Sequence, residues 1–369
     1  MTGRTKIRYA VVGLGYIAQA AVLPAFAHAR ENSELVALVS GDATKLKKLG
    51  KKYGVSQTYS YERYEECLRS GTVDAVYIAL PNSMHRQYTE AAANAGIHVL
   101  CEKPMAVTAK ECEAMIRAAQ KNRVRLMIAY RLHFEEANLE AIEILQSGKL
   151  GKPRIFNSTF TMQVKDGNIR LQKEMGGGTL YDIGIYCINA ARYLFRAEPT
   201  EVVAFRANGA EGRFREVEEA ISAVMRFSED RLATFVCSFG GADVSAYEVV
   251  GTKGSLRMDP GYELASELTL NLSIEGKKKT KTFRKRDQFA PELIYFSNCI
   301  QKNQEPQPSG EEGLADVRVI EALYQSAQDG SPARIEATPP RKRPTRAQEI
   351  RKPPVEMPQM VNASGPSPE

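Results

Sequence analysis

The chain has 369 residues, 43% hydrophobic and 25% charged, with a formal net charge of +6. That length asks for two domains, and that composition is the one of a folded globular protein. No apolar run approaches the roughly 18 residues of a membrane span, so no membrane partner is expected. Residues 339–369 hold six Lys/Arg against three Asp/Glu, so +3 of the charge sits in that tail and only +3 in the body. A body so nearly neutral offers no electrostatic footprint for nucleic acid.

In chain order, residues 6–12 (KIRYAVV) form a short apolar strand, entered so early that no signal peptide is expected ahead of it. A Gly-rich turn and a helical pattern to about Ala29 follow. Residues 34–40 (ELVALVS) are a second strand, and Ala43 to Tyr53 are helical. Residues 73–80 (VDAVYIAL) and 97–101 (IHVLC) are strands with a helix at 84–95 between them. A helix at 108–122 and a strand at 124–129 (VRLMIA) complete the array. Strands alternating with helices at this pitch are βαβ units of a parallel sheet, and continuous apolar strands fit burial on both faces. Residues 1–130 therefore read as a doubly wound Rossmann domain that binds a dinucleotide.

After residue 130 the texture changes. A helix at 136–147 leads into alternating segments at 153–162, 200–208, 219–227, 231–239, 244–250, 254–258, 268–275 and 278–284. Residues 131–338 are expected to be an α+β domain with a large, mostly antiparallel open sheet that binds substrate. Such a sheet needs its open face covered, which points to a homodimer or homotetramer. Helices at 291–303 and 312–329 close this part. Residues 339–369 hold 8 of the 18 prolines and little periodicity, and read as a disordered tail or an extended arm. Six cysteines (67, 101, 112, 187, 237, 299) without a C-x-x-C pair read as buried thiols of a reducing compartment, the cytoplasm by default. No metal site is expected.

Gly13-Leu14-Gly15-Tyr16-Ile17-Ala18 is a G-x-G-x-x-A between the first strand and the first helix. Gly13 makes the tight turn, Gly15 admits the pyrophosphate against the backbone, and Ala18 is small enough for helix–strand packing. An NAD site wants an acid at the end of the second strand, to take the ribose 2′-hydroxyl. Here the strand ends in Ser40-Gly41-Asp42, with Lys45 one turn on. Ser40 and Lys45 suit a 2′-phosphate that an acid would repel, which favours NADP, while Asp42 keeps NAD open.

Further candidates stand where parallel strands end, the edge at which open α/β sheets bind ligands. Pro81-Asn82-Ser83-Met84-His85 follows the strand at 73–80, Glu102-Lys103-Pro104 the strand at 97–101, and Tyr130-Arg131 the strand at 124–129. Pro81, Asn82, His85, Glu102 and Arg131 are accordingly candidate cofactor contacts, with a loop histidine or a surface arginine the plainer readings. In the second half, GGGTLYDIGIYCINAARYL (176–194) runs three glycines into a helical pattern. Asp182 and Tyr186, four apart, then share a helix face. The glycines let backbone approach a ligand closely.

With these motifs in place, the chain resembles the glucose–fructose oxidoreductase, inositol dehydrogenase and rhizopine-catabolism (Gfo/Idh/MocA) family over about residues 6–335. The stretches VSGDATK, CEKPMAV, GGGTLYDIGIYCINAARYL and SGEEGLADVRVI are most similar to the glucose–fructose oxidoreductase branch. The resemblance implies that Lys103 contacts the sugar hydroxyl and the nicotinamide ribose. It implies that Asp182 and Tyr186 match the acid and the tyrosine of that branch, and that Ser40 and Lys45 fall where the NADP phosphate is held. Inositol dehydrogenase-like members carry a histidine at the Tyr186 position, so the tyrosine points to aldoses. The branch also has an export signal and an arm ahead of the first strand, and neither is expected here.

Oxidising a sugar hydroxyl needs a base for the O–H proton and a hydride acceptor at the C–H. Tyr186 is the candidate base, and moving a phenol from about 10 to about 7 takes roughly 4 kcal/mol. A nearby Lys103 ammonium can supply much of that. Alternatively Lys103 is the acid–base group and Tyr186 only positions the sugar. Asp182 is expected to fix a hydroxyl or the tyrosine, because an ordinary carboxylate is too weak a base. The function expected is NADP-dependent oxidation of an aldose or related cyclic polyol. Two alternatives remain: an oxidoreductase that keeps its NADP and cycles it between two sugars, and a non-catalytic nucleotide sensor.

Overall fold

A computed structural model describes residues 6–336 and 342–368. The expected boundary between body and tail, at 338/339, lies outside the described residues, as does the start of the chain. Two compact units emerge, one of Met1–Arg131, Arg286–Leu314 and Arg351–Gly365, the other of Leu132–Lys285, Ala315–Ile350 and Pro366–Glu369.

The first unit is built on six parallel strands: β1 (Ile7–Val12), β2 (Ser33–Val39), β3 (Gln57–Tyr59), β4 (Ala75–Ile78), β5 (His98–Glu102) and β6 (Leu126–Ala129). Their order is β3-β2-β1-β4-β5-β6, so the chain reverses direction across the sheet beside β1. That reversal leaves a crevice at the carboxyl ends of β1 and β4, where such sheets take ligands. The sheet is buried on both faces: Tyr9 to Val12, Val76 to Ile78 and Val99 to Cys101 are all inaccessible to solvent. The short edge strand β3 escapes sequence reading because Gln57, Thr58 and Tyr59 are each only half-buried and form no apolar run.

Local signals place the helix starts. Asp42 accepts the backbone N–H groups of Thr44 and Lys45 at 2.8 and 3.0 Å and opens helix Ala43–Tyr53, which Gly54 closes at φ +69°. A Thr108/Glu111 capping box opens helix Ala109–Lys121. The first helical segment is shorter than expected: a π turn at Ala18–Val22 followed by Leu23–Ala25.

Helix Ala290–Gln301 belongs to the first unit, although the sequence order suggests the second domain. Its Ser297 hydroxyl lies 2.8 Å from both the Tyr9 hydroxyl and the Ser33 hydroxyl, and the Asn32 amide donates to the Ile294 carbonyl at 2.9 Å. These buried polar ties fasten it to β1 and to the start of β2.

The second unit carries nine strands: β7 (Pro153–Gln163), β8 (Pro199–Ala207), β9 (Ala220–Phe227), β10 (Arg231–Ser238), β11 (Gly240–Gly251), β12 (Gly254–Met258), β13 (Leu268–Ile274), β14 (Lys277–Phe283) and β15 (Ala333–Arg334). Their order is β14-β13-β12-β11-β7-β10-β9-β8-β15. Among the described residues, only the β7–β10 pair of this sheet is parallel. The expected mixed α/β architecture is thus present in full. Helix Ile185–Phe195 covers one face, with Phe195 against Phe227 at 5.1 Å between ring centres and Cys187 beside the Ser158 hydroxyl. All six cysteines are buried free thiols.

Residues 342–368 are mostly irregular in conformation but not without partners. In the second unit Arg343 pairs with Glu198, Arg346 lies 3.3 Å from Glu140, and Gln348 reaches His133 at 3.1 Å. In the first unit the Lys352 carbonyl accepts the Asp287 N–H. Among the described residues, no helix is long and apolar enough to cross a membrane. No group of three or more potential metal ligands occurs among them.

Candidate active site

In the first unit the structure gathers most of the sequence candidates along one sheet edge. Gly13 to Ile17 follow β1, Ser40 and Lys45 follow β2, Pro81 and Asn82 follow β4, and Glu102 and Lys103 end β5. The two glycines of the loop have different reasons to be glycine. Gly13 has φ +92°, and a Cβ there would stand 2.4 Å from the Ala79 carbonyl oxygen. Gly15 meets nothing: a Cβ there would find no atom within 4 Å. That open cradle, beside the start of a helix at the carboxyl edge of a parallel sheet, fits a dinucleotide pyrophosphate.

The end of β2 favours a 2′-phosphate. The Asp42 carboxylate is committed to the Thr44 and Lys45 N–H groups through one oxygen and to the Asn362 side-chain amide, at 2.9 Å, through the other. The Asn362 hydrogen bond, followed by that of Lys45, holds Asp42 below the usual carboxylate range. The Ser40 hydroxyl accepts the Asp42 N–H at 3.2 Å. Lys45 is half-buried one turn into the helix.

Two candidates turn out to be inward-facing. His85 is fully buried, with its ring nitrogens 2.9 Å from the carbonyl oxygens of Pro104 and Leu80. It ties the loop after β4 to the loop after β5, and burial lowers its pKa. Both ring nitrogens thus face the chain's own backbone, where a cofactor contact had been the expectation. Arg131 is likewise buried; its guanidinium donates to the Gln288 side chain and faces Glu102 and Glu292. Neither a loop histidine nor a surface arginine describes what is there.

Behind Lys103 lies a buried acid pair. The Tyr77 hydroxyl donates to Glu102 at 2.8 Å and stands 3.4 Å from Glu292. Glu102 also accepts the Lys103 backbone N–H at 3.2 Å. Burial raises the pKa of Glu102, opposed by the Lys103 charge, and raises that of Glu292 much further, with the Glu102 charge adding to it. Glu292 is therefore the member of the pair that keeps a proton. The Glu102 carboxylate remains to hold the lysine's backbone, and the Lys103–Pro104 bond is cis.

In the second unit, the three glycines at 176–178 serve the chain's own packing, where a ligand's approach had been the expectation. Gly176 has φ +76° and Gly178 φ +133°. A Cβ on Gly177 would meet the Arg170 carbonyl oxygen at 2.4 Å, and one on Gly178 the Tyr324 hydroxyl at 2.5 Å. The helix start is held by Glu218, which accepts the Thr179 N–H at 2.7 Å, the Thr179 hydroxyl at 2.6 Å and the Tyr324 hydroxyl at 3.0 Å.

Asp182 lies in a π turn, Leu180–Gly184, and Tyr186 in the helix that continues it. Such turns concentrate at functional sites. Both side chains are half-buried. The tight loop brings Arg170 onto Asp182 at 2.6 Å, an ion pair that sequence reading missed. The Tyr186 ring packs against Phe160 of β7, at 5.5 Å, and against Tyr262, at 5.8 Å. Phe160 and Tyr262 stack on each other at 5.2 Å, so the tyrosine leans on a rigid aromatic pair. The alternation of β7 was the one available signal for Phe160; nothing marked Tyr262.

The profile of the oxidoreductase family with an NAD-binding Rossmann fold (GFO_IDH_MocA) matches residues 7–130. That of the GFO/IDH/MocA C-terminal domain matches residues 138–257. D-xylose 1-dehydrogenase [NADP(+)] of Haloarcula marismortui is 31% identical over 338 residues, 89% of this chain and 93% of the relative. D-xylose 1-dehydrogenase (NADP(+)) 2 of Haloferax volcanii is 30% identical over 334 residues, 89% of this chain and 99% of the relative. Among solved structures, the aldose–aldose oxidoreductase of Caulobacter crescentus, complexed with glycerol, superposes with a TM-score of 0.86. It is 39% identical, over 89% of this chain and 100% of that one.

Proposed function

This chain belongs to the Gfo/Idh/MocA oxidoreductase family, and we propose that it oxidises an aldose or related cyclic polyol at a hydroxyl-bearing carbon with NADP as hydride acceptor. It is an enzyme acting on CH–OH groups. The observation that carries the reading is the open cradle above Gly15, in a chain whose likeness to NADP-dependent sugar dehydrogenases runs through nine-tenths of its length. A non-catalytic nucleotide sensor finds no support in these relatives.

Gly13 to Ile17 hold the pyrophosphate, Ser40 and Lys45 the 2′-phosphate, and Pro81 and Asn82 border the same edge. Bound NADP supplies the carbon that accepts the hydride. Lys103 is assigned to the reacting hydroxyl, with its backbone N–H held by the buried Glu102 carboxylate. Tyr186 is assigned to the hydroxyl proton, with its ring held by Phe160 and Tyr262. Asp182, fixed by Arg170, is assigned to a second sugar hydroxyl as acceptor. Assaying aldoses and inositols with NADP and NAD, by the absorbance of reduced nicotinamide, tests the reading. Reduction of NAD alone, or of neither nucleotide with any of these sugars and polyols, refutes it.

The self-association surface is assigned to one face of the second unit's sheet. Strand register puts Ile155, Phe205, Val224, Leu232, Val236 and Val244 on a common face, and all six are exposed. An apolar stripe of that extent favours a second copy of the chain. Leu232→Glu with Val236→Glu should shift a sedimenting oligomer to monomer; a monomeric unsubstituted chain refutes the assignment. Six buried free thiols support a reducing compartment.

A further inference from the structure

We infer that the C-terminal segment Arg351–Gly365 is a strap that forms part of the nucleotide site and slows release of NADP(H). This holds only if the first unit is the NADP site proposed above. The segment lies outside both stretches matched by the family profiles, 7–130 and 138–257, yet it is part of the first unit.

Its course follows from its contacts. At its start the Lys352 carbonyl accepts the Asp287 N–H at 3.3 Å, and the Lys352 ammonium lies 3.6 Å from Glu31. Pro354 to Pro358 then line a cleft whose other wall includes Leu23, Phe26 and Tyr53. Further on, Val361 pairs with the Gln19 side chain as one strand pairs with another. Its N–H donates to Gln19 Oε1 at 2.8 Å and its carbonyl accepts from Gln19 Nε2 at 2.9 Å. Asn362 donates to Asp42 at 2.9 Å, and Gly365 lies against the Tyr16 ring, 3.5 Å from where its Cβ would stand.

Gln19 makes this more than a tail resting on a surface. It is 1% exposed, and the same Nε2 that holds Val361 also donates to the Leu14 carbonyl, at 2.9 Å, inside the Gly13–Gly15 loop. A buried amide is thus shared between the phosphate-binding loop and the strap, and neither can lift without leaving a buried polar group unpaired. Between Asn362 and Gly365 the chain passes from the turn after β2 to the loop after β1. Those two turns flank the adenosine half of a dinucleotide bound at such a sheet edge. Pro353, Pro354 and Pro358 stiffen the segment, so docking it orders few degrees of freedom. A dinucleotide seated on the loop leaves when residues 361–365 let go.

The test is the release rate of NADPH, followed by the loss of its protein-bound fluorescence after a chase with excess NADP+. Four proteins are compared: the full chain, a chain ending at Ile350, Asn362→Asp, and Asn362→Asp combined with Asp42→Asn. The truncation should speed release about tenfold or more, as the loss of two or three hydrogen bonds implies. Asn362→Asp sets two carboxylates against each other and should speed it severalfold, and adding Asp42→Asn should restore most of the difference. If the truncated chain shows no cooperative melting, the two full-length variants decide alone. Equal release rates for the full chain and Asn362→Asp, with NADPH bound by both, would overturn the strap alone. A full chain that takes up no NADPH would overturn the functional reading and the strap with it.

Discussion

Replacing each loop glycine in turn should separate fold from ligand binding. At Gly13 an alanine is strained at φ +92° and drives its Cβ to 2.4 Å from the Ala79 oxygen and 2.8 Å from the Ala79 carbon. Neither partner yields easily, because the Ala79 N–H is bonded to the Val12 carbonyl at 2.8 Å. The left-handed backbone costs about 1–2 kcal/mol and the overpacking about 1–3 kcal/mol more. Gly13→Ala should therefore lose about 2–5 kcal/mol, or roughly 3–6 °C in Tm for a chain of this size. Gly15→Val fills space that is empty in the protein alone, so its Tm should match the unsubstituted chain to within about 0.5 kcal/mol. In the presence of NADPH the two should part. Ligand at about 100 times Kd stabilises the unsubstituted chain by about 2.7 kcal/mol, and Gly15→Val should show none of that shift. Thermal melting with and without NADPH, together with titration calorimetry, measures both effects. Undiminished NADPH affinity in Gly15→Val, or an unchanged Tm in Gly13→Ala, would refute the assignment of the cradle.

Other substitutions probe the remaining groups. Lys103→Met and Tyr186→Phe should each lower kcat by at least about a hundredfold, the scale of acid–base assistance, with NADPH affinity retained; unchanged turnover in either removes that residue from the chemistry. Arg170→Met should raise KM for the sugar more than it lowers kcat, since it unpins Asp182, and equal kinetics would show that Asp182 does not touch substrate. Arg192 and Asp316 are both fully buried as an ion pair, with Asn189 donating to Asp316 at 2.9 Å, so Arg192→Met strands a carboxylate and should cost about 3–5 kcal/mol in urea unfolding. A loss under about 1 kcal/mol would contradict that burial argument. His133, between the Tyr193 hydroxyl and Gln348, is pushed down to about 3 by burial, so below its ordinary value the unfolded chain binds a proton that the native one refuses. Stability is then lost as pH falls from about 6.5 toward 3, on the order of 5 kcal/mol in all, and His133→Gln should flatten that acid limb in urea midpoints taken between pH about 7 and about 4. An equally steep limb in the variant would show that His133 is not the group responsible.

What the sequence shows of this protein, and what it hides, divides by distance along the chain. Periodicity and turn chemistry are local, so the parallel sheet, the Gly13–Ala18 loop and the antiparallel strands of the second unit could be read from short windows. Polar contacts between distant residues leave no periodic trace. Gln19 and Val361 are 342 residues apart, and a glutamine inside a helical pattern looks like any solvated helix residue until its partner is seen. His85 stood where a ligand contact is plausible, but its partners are two backbone carbonyls, which every sequence has and none advertises. Helix Ala290–Gln301 was assigned by order along the chain, whereas Ser297 and Ile294 attach it to residues some 260 positions earlier. The glycines at 176–178 show the same limit inside a local motif. Their spacing before a helix was legible, but its cause lies in the Arg170 carbonyl and the Tyr324 hydroxyl that press on them. The same close loop sets Arg170 on Asp182, so the residue that fixes the candidate acid becomes visible only once the turn is built. Sequence reading therefore finds the groups that do chemistry more readily than the groups that hold them still, because the former must be particular residue types while the latter need only be near.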